Sequence, residues 1–272
     1  AGCDIVLGAA ENDVATELLP HAVAQGAVVI DNSSAYRLDP EVPLVVPEVN
    51  PQDISWHKGL ISNPNCTTII TATAVAAIHR LSPIVKMTAS TYQAVSGAGV
   101  GGMRELEQQV EALAKGEPVV CSTLPYQIAY NLIPQIGSFD AQGYSSEEMK
   151  LQNEGRKILH ADNLLVTCTC VRVPVMRSHS VSVSLETEAP LSLEQVRHAI
   201  ANSPGCLLVD DPANKRYPMP LDTSDQDLVY VGRIRRDLTS QTGGIALWCC
   251  GDQIRKGAAT NAVQIAQLLI AQ

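Results

Sequence analysis

Cys66 is the residue of this chain best placed for covalent chemistry. It follows the turn Ser62-Asn63-Pro64-Asn65 and precedes the apolar run Thr67-Thr68-Ile69-Ile70. Asn-Pro is a turn dipeptide, and the residue before a proline is pushed out of the helical region. From Thr67 to Leu81 the pattern is helical, with no glycine or proline until Pro83. The thiol therefore sits at a helix start, where unpaired N–H groups and the positive dipole end favour an anion. A thiol there is expected to ionise easily and act as a nucleophile. The competing reading is a buried cysteine serving as a small apolar residue.

A thiol nucleophile needs a base and ligands for its substrate. His179 stands on the apolar face of an alternating segment, with Val181, Val183 and Leu185. Imidazole is the natural proton-transfer partner at neutral pH, although a core histidine held by one hydrogen bond fits the same pattern. Arg172 lies among apolar residues and requires a carboxylate or phosphate, because an unpaired buried charge is costly; a structural salt bridge would meet that need equally. Glu147 and Lys150 are one helical turn apart and share a face. Arg37 follows Asn32-Ser33-Ser34 at a strand end and suits an anion. Gln93 closes a strand, where it orients a substrate or caps the strand.

The elements that must carry these residues are legible in outline. Ile5-Val6-Leu7 and Val28-Val29-Ile30-Asp31 read as buried strands flanking a helix from Asn12 to Gln25, capped by Asn12 or Asp13, with Pro20 as a potential break. Strand, helix and strand form a βαβ unit whose ligands belong beyond the strands' carboxyl ends, at Gly8-Ala9-Ala10 and Asn32 to Arg37. A further strand, Ile84 to Ala94, runs into the glycine-rich stretch Ser96-Gly97-Ala98-Gly99-Val100-Gly101-Gly102 and a helix from about Gly102 to Lys115. That stretch has no Gly-Lys-Ser/Thr and is not a Walker loop. Ser145 and Glu148 have capping-box spacing for a helix to about His160. Leu164–Val175 and Ser178–Glu188 read as two strands joined by a tight turn. Further strands are expected over Leu228–Arg235 and Gly244–Cys250, and helices over Ser192–Asn202 and Arg255–Ala271.

Composition narrows the function. The 272 residues carry a net charge of −9 and a single Phe, which argues against a nucleic-acid partner. No apolar run reaches the ~20 residues of a membrane span, and no signal peptide is visible. Eight cysteines lack zinc-ligand spacing and a paired C-x-x-C, so no metal is expected and reduced thiols in a cytoplasmic setting are. Opening almost directly on a buried strand suggests that an N-terminal piece is missing.

Several stretches together resemble the aspartate-β-semialdehyde dehydrogenase family. They are Val28 to Arg37, Pro43 to Asn50, Asn63-Pro64-Asn65-Cys66-Thr67-Thr68, Thr91 to Gly99, Glu147 to Lys150, Arg172-Val173-Pro174-Val175, Arg177-Ser178-His179-Ser180 and Arg255 to Ala259. They span essentially the whole chain, in order. The resemblance implies reduction of β-aspartyl phosphate by NADPH to the semialdehyde, with release of phosphate, in the pathway to lysine, threonine and methionine. It implies catalytic roles for Cys66, His179 and Gln93. Arg172 and Glu147 would bind the amino-acid end of the substrate, and Arg37, Lys150 and Asn65 the phosphate. Gly8, Asn32, Ser33, Ser96, Gly97 and Gln253 would contact the NADP cofactor.

The implied fold is a partial Rossmann-like parallel-sheet domain plus a mixed and antiparallel-sheet domain. The first comprises residues 1–64, completed by 254–272; the second, residues 65–253, is catalytic and dimerising. A homodimer or homotetramer is implied. Two features depart from the family. Its N-terminal glycine-rich dinucleotide fingerprint is absent, so this chain is expected to bind NADPH poorly. Asp252-Gln253-Ile254-Arg255 also replaces the family's Asp-Asn-Leu-Arg. A related acyl-phosphate reductase, such as N-acetyl-γ-glutamyl-phosphate reductase, and a non-catalytic dimerising fragment remain alternatives. The Arg172/Glu147 pair favours a substrate with a free α-ammonium.

Overall fold

The computed structural model describes residues 2–271. Its elements are β1 (Ile5–Gly8), α1 (Asn12–Ala24), β2 (Val28–Asp31), β3 (Leu60–Ser62), α2 (Cys66–Leu81), β4 (Ile84–Gln93), α3 (Gly99–Lys115), α4 (Ser146–Leu159), β5 (Leu165–Arg172) and β6 (His179–Thr187). Then come α5 (Leu193–Ala201), β7 (Cys206–Leu208), the short α6 (Pro220–Thr223), β8 (Val229–Arg236), β9 (Ile245–Gly251) and α7 (Thr260–Ile270). None of the described helices is long and apolar enough to cross a membrane.

Two sheets result. The smaller is parallel, in the order β1-β2-β3, and the larger is mixed, in the order β5-β4-β6-β9-β8-β7. In the smaller sheet β1, α1 and β2 form the expected βαβ unit. The cap of α1 is Glu11, one residue before the expected Asn12 or Asp13, because Asn12 turns its side chain to Ser34 instead. Pro20 does not break α1. A proline removes the hydrogen bond to the carbonyl four residues earlier, and the Thr16 carbonyl so released accepts from the Tyr36 hydroxyl at 3.3 Å. The third strand of this sheet is Leu60–Ser62, too short to stand out in the sequence. Helix α7 covers the sheet, burying Ala262 and Ile265 against Ile30, Ile54 and Ile61. It is entered through a π-helical turn over Arg255–Ala259, not as one continuous helix from Arg255.

The large sheet corrects one strand pairing. β5 and β6 are not neighbours, because β4 lies between them, parallel to β5 and antiparallel to β6. The loop 173–178 thus crosses the end of β4. This brings the last residue of β4, Gln93, beside Arg172 of β5 and one step from His179 of β6. One face of the sheet is covered by α2, α4 and α5, in a core that includes Ile70, Ile78, Val181, Leu185, Val196 and Leu247. The opposite face carries Lys86, Thr88, Ser182, Ser184, Arg235 and Asp237 around a polar depression of about 320 Å³. Tyr92 and Trp248 pack beside it with ring centroids 5.3 Å apart and ring planes tilted by 42°.

The capping box expected at Ser145–Glu148 is formed, and a second joins Ser192 and Gln195 at the start of α5. Helix α2 is buried from Thr67 to Ile78, sheathed by both neighbouring helices and the sheet. That burial fixes its first turn, and Cys66 with it, relative to the strand ends.

Candidate active site

Cys66 is the first residue of α2, and Asn65 is its cap. The Asn65 side-chain oxygen accepts from the Thr67 and Thr68 N–H groups at 3.0 and 3.2 Å. This is ordinary capping chemistry, but α4 also holds Asn65 from both ends. Its side-chain amide donates to Glu147 Oε1 at 3.0 Å, and its backbone N–H donates to Glu154 Oε2 at 2.7 Å. Two carboxylates, two helical turns apart, thus set the residue that orients the thiol.

Glu154 is absent from the sequence reading, and it is one of the most buried charges here, 2% exposed. Its other oxygen accepts from Arg37 Nη1 at 3.1 Å. Burial raises the Glu154 carboxyl above its ordinary range, against the opposing pull of Arg37. Arg37 Nη2 donates to the Asn32 carbonyl, while Arg37 Nε is buried without a partner among the described residues. Arg37 also lines a cleft of about 380 Å³ shared by Asn65, Cys66, Asn32, Ser96, Gly97 and Gln253.

Glu147 gathers the second group. Its carboxylate accepts from Asn65, from Gln93 Nε2 at 3.1 Å and from Lys150 Nζ at 2.9 Å. Burial pushes the Glu147 carboxyl up, but Lys150 and the hydrogen bonds from Asn65 and Gln93 outweigh it and hold the group below its usual value. Arg172 is buried, donates Nη1 to the Ala94 carbonyl at 2.7 Å, and forms no ion pair with the described residues. A buried guanidinium without a carboxylate needs one from elsewhere. His179 is fully buried, and its Nδ1 accepts from the Ala94 N–H at 3.0 Å. Burial, helped by Arg172, lowers its pKa to about 3, so the ring is neutral at physiological pH.

The cofactor candidates divide. Asn32, Ser96, Gly97 and Gln253 line the cleft, whereas Gly8 and Ser33 do not. Gly8 uses its carbonyl to accept from Asn32, and Ser33 spends both its N–H and its hydroxyl on Asp31. Gln253 accepts from the Ser178 N–H at 2.8 Å and donates to the Ser96 hydroxyl. With both ends of its amide engaged, it holds Ser178 in a left-handed conformation (φ 74°) immediately before His179.

Gly97 shows why the turn after β4 is glycine-rich. A Cβ there would lie 2.6 Å from Arg172 Nη1 and 3.2 Å from both His179 Cε1 and Nε2. Gly97→Ala must displace one of two side chains proposed to act on the substrate. An Å-scale misplacement costs on the order of 10²-fold in rate, so kcat is expected to fall by that much with thermal stability nearly unchanged. A wild-type rate would show that neither side chain needs its present place.

The surroundings of the thiol oppose the easy ionisation expected of a helix start. Burial, reinforced by the Glu147 carboxylate, pushes the Cys66 thiol up to about 11, beyond what Thr67, Arg37 and Arg172 recover. Iodoacetamide labelling at Cys66, read by peptide mass spectrometry, should keep accelerating toward about pH 11 and lag behind labelling of the exposed Cys3 and Cys121. Saturation below about 8.5, the free-thiol value, would contradict this.

The residue pattern has counterparts among known proteins. Residues 75–256 match the semialdehyde dehydrogenase dimerisation domain, and residues 1–57 match the semialdehyde dehydrogenase NAD-binding domain. A Synechocystis sp. protein named aspartate-semialdehyde dehydrogenase is 48% identical over 99% of this chain and 79% of its own length. The crystal structure of aspartate semialdehyde dehydrogenase II complexed with ASA from Vibrio cholerae superposes with a TM-score of 0.95. It is 42% identical and covers 98% of this chain and 80% of that one. A Candida albicans aspartate semialdehyde dehydrogenase with NADP gives a TM-score of 0.76 at 26% identity, covering 99% of this chain and 78% of that one.

Proposed function

This chain belongs to the aspartate-semialdehyde dehydrogenase family, and we propose that it reduces β-aspartyl phosphate to aspartate β-semialdehyde through a thioester on Cys66. The observation that carries this reading is the Arg172 guanidinium, buried without an ion pair among the described residues, which together with the Glu147 carboxylate lies close enough to Cys66 and His179 for both charges to act on them. Arg172 suits an α-carboxylate and Glu147 an α-ammonium, which together describe a free amino acid. Lys150, already on Glu147, and Arg37, in the cleft lining, supply positive charge for the phosphate.

In the first step the Cys66 sulfur attacks the acyl carbon and the bond to phosphate breaks. The Asn65 amide and the buried first turn of α2 hold the sulfur on line. Gln93 orients the carbonyl, its own oxygen fixed by the Thr91 hydroxyl at 2.9 Å. Asn32, Ser96, Gly97 and Gln253, which line the cleft, would hold a nicotinamide dinucleotide, and that group would supply the hydride. Breaking the carbon–sulfur bond then returns Cys66 and frees the aldehyde. His179 is the proton-transfer group.

The NAD-binding-domain match supports a nicotinamide dinucleotide, and the NADP-bound Candida albicans relative favours NADP over NAD. The match to a dimerisation domain supports a homodimer, with the open polar face of the large sheet as its contact surface. The packing of α7 on β2 and β3 supports grouping residues 254–272 with 1–64, against a catalytic unit of 65–253.

The test is the reverse reaction, in which the aldehyde is oxidised with phosphate. Phosphate-dependent reduction of NADP by aspartate β-semialdehyde, absent with N-acetyl-glutamate γ-semialdehyde, is the expected result. Preference for the acetylated aldehyde would overturn the assignment of Glu147 to an ammonium group.

A further inference from the structure

We propose that Lys256 is a positioning residue for this site: through Asn261 and Asn63 it fixes which way the Asn32 carboxamide faces, and on its own turn it seats Gly257 against Cys66. The roles of Asn32 and Cys66 themselves rest on the thioester reading above.

Lys256 is fully buried, in the π-helical turn over Arg255–Ala259. Single π turns are frequent at functional sites. An ammonium has three donors and no acceptor, and burying it is costly unless each donor is met. All three are met, by the Glu48 carboxylate, by Asn261 Oδ1 at 2.8 Å and by Gln264 Oε1 at 2.7 Å. Gln264 Nε2 also donates to the other Glu48 oxygen at 3.0 Å. Packing alone does not account for the charge, because apolar residues of similar size often replace a buried ion pair without loss. The direction its hydrogen bonds impose does account for it.

Because the ammonium can only donate, Asn261 must turn its oxygen to it. Its Nδ2 then donates to Asn63 Oδ1 at 2.7 Å and to the Val45 carbonyl at 3.0 Å. Asn63 Nδ2 passes the direction on, to Asn32 Oδ1 at 2.8 Å, and returns to the π turn at the Ala258 carbonyl, 3.2 Å away. Asn32 Nδ2 donates in turn to the Gly8 carbonyl at 2.8 Å. Flipping any one of these amides would set donor against donor. Asn261 and Asn63 are buried, while Asn63 and Asn32 reach the lining of the cleft. One Asn32 amide hydrogen is left without an acceptor among the described residues, and Lys256 settles where it lies. The same turn carries Gly257, where a Cβ would lie 3.2 Å from the Cys66 Cβ. Anchoring Lys256 therefore also holds backbone against the nucleophile.

Two measurements on the intact protein test this, and neither needs substrate. Two variants are compared with wild type. Lys256→Met is combined with Glu48→Gln, so that no carboxylate is left unpaired. Asn261→Asp still accepts from Lys256 but has no N–H for Asn63. In protein labelled with ¹⁵N-asparagine, the Asn32 side-chain amide signal, assigned by its loss in Asn32→Ser, should move in both variants, although neither substitution touches Asn32. A signal unmoved in both would overturn the relay; should the double variant not fold, Asn261→Asp alone decides it. Second, iodoacetamide labelling of Cys66, followed by peptide mass spectrometry, should accelerate severalfold in the folded double variant as the turn over the thiol loosens. An unchanged rate would overturn the seating of Gly257. Failure of the wild type to form an acyl–Cys66 adduct would count instead against the thioester reading, and both readouts would stand.

Discussion

Replacing Cys66 by serine is expected to abolish turnover, lowering kcat on the order of 10⁴–10⁶-fold, the range seen when a covalent nucleophile is removed. The substitution changes one atom. Among the described residues the sulfur's one hydrogen-bond partner is the Thr67 hydroxyl at 4.0 Å, and the Asn65 cap does not involve it. The serine variant should therefore keep its melting temperature and its substrate contacts. A serine hydroxyl at that helix start is a much weaker nucleophile, and its ester would be a poor hydride acceptor. Acid-quenched wild-type enzyme mixed with β-aspartyl phosphate should carry the substrate's acyl mass on the peptide containing Cys66, and the variant none. Retained turnover, or an acyl group on another cysteine, would sink the assignment. The candidates are few in any case: Cys168, Cys170, Cys249 and Cys250 are buried in the large sheet.

Truncating Glu154 to alanine should cost about 3–5 kcal/mol of stability, the usual result of stripping one partner from a buried ion pair. Arg37 would keep a buried charge with only a backbone carbonyl for company, and the Asn65 N–H would lose its acceptor. Chemical denaturation of the variant reads the loss. Glu154→Gln, which keeps an acceptor for Asn65 but no charge for Arg37, should fall between variant and wild type. The double variant Glu154→Ala with Arg37→Ala should recover part of the loss, because it leaves no orphaned cation. A single-variant loss below about 1 kcal/mol, the scale of exposed ion pairs, would show that Arg37 and Glu154 do not depend on each other.

The sequence reading succeeds where local chemistry decides the outcome. Asn-Pro-Asn before an apolar helical run places Cys66 at the first turn, and Ser145 with Glu148 marks the start of α4. Alternation places His179 on the inward face of β6. It fails where distant parts of the chain decide. The alternation of β5 and β6 is the same whether they pair with each other or with β4 between them, so a hairpin is the simpler and mistaken inference. Glu154 stands in a mostly polar helix, where charges three and four apart normally face water. Only docking of α4 on α2 buries it. The thiol misleads for a related reason: its place on the helix is local, but the burial that raises its pKa comes from the whole assembled site.

Helix α4 carries Glu147, Lys150, Glu154 and Lys157 at successive turns, and Lys157 Nζ gathers the carbonyls of Arg37, Asp39 and Val42. One rod therefore touches the proposed amino-acid end, the phosphate end, the nucleophile's cap and the loop holding Arg37. Such an arrangement is not modular. An insertion inside α4 would swing everything after it by about 100° around the axis, parting specificity from reactivity in one event. New substrates are then more accessible through Arg172, whose side chain bonds only the Ala94 carbonyl among the described residues, than through Glu147, whose exchange would loosen the grip on Asn65. Evolutionary freedom in this site should lie on the strand, and constraint on the helix.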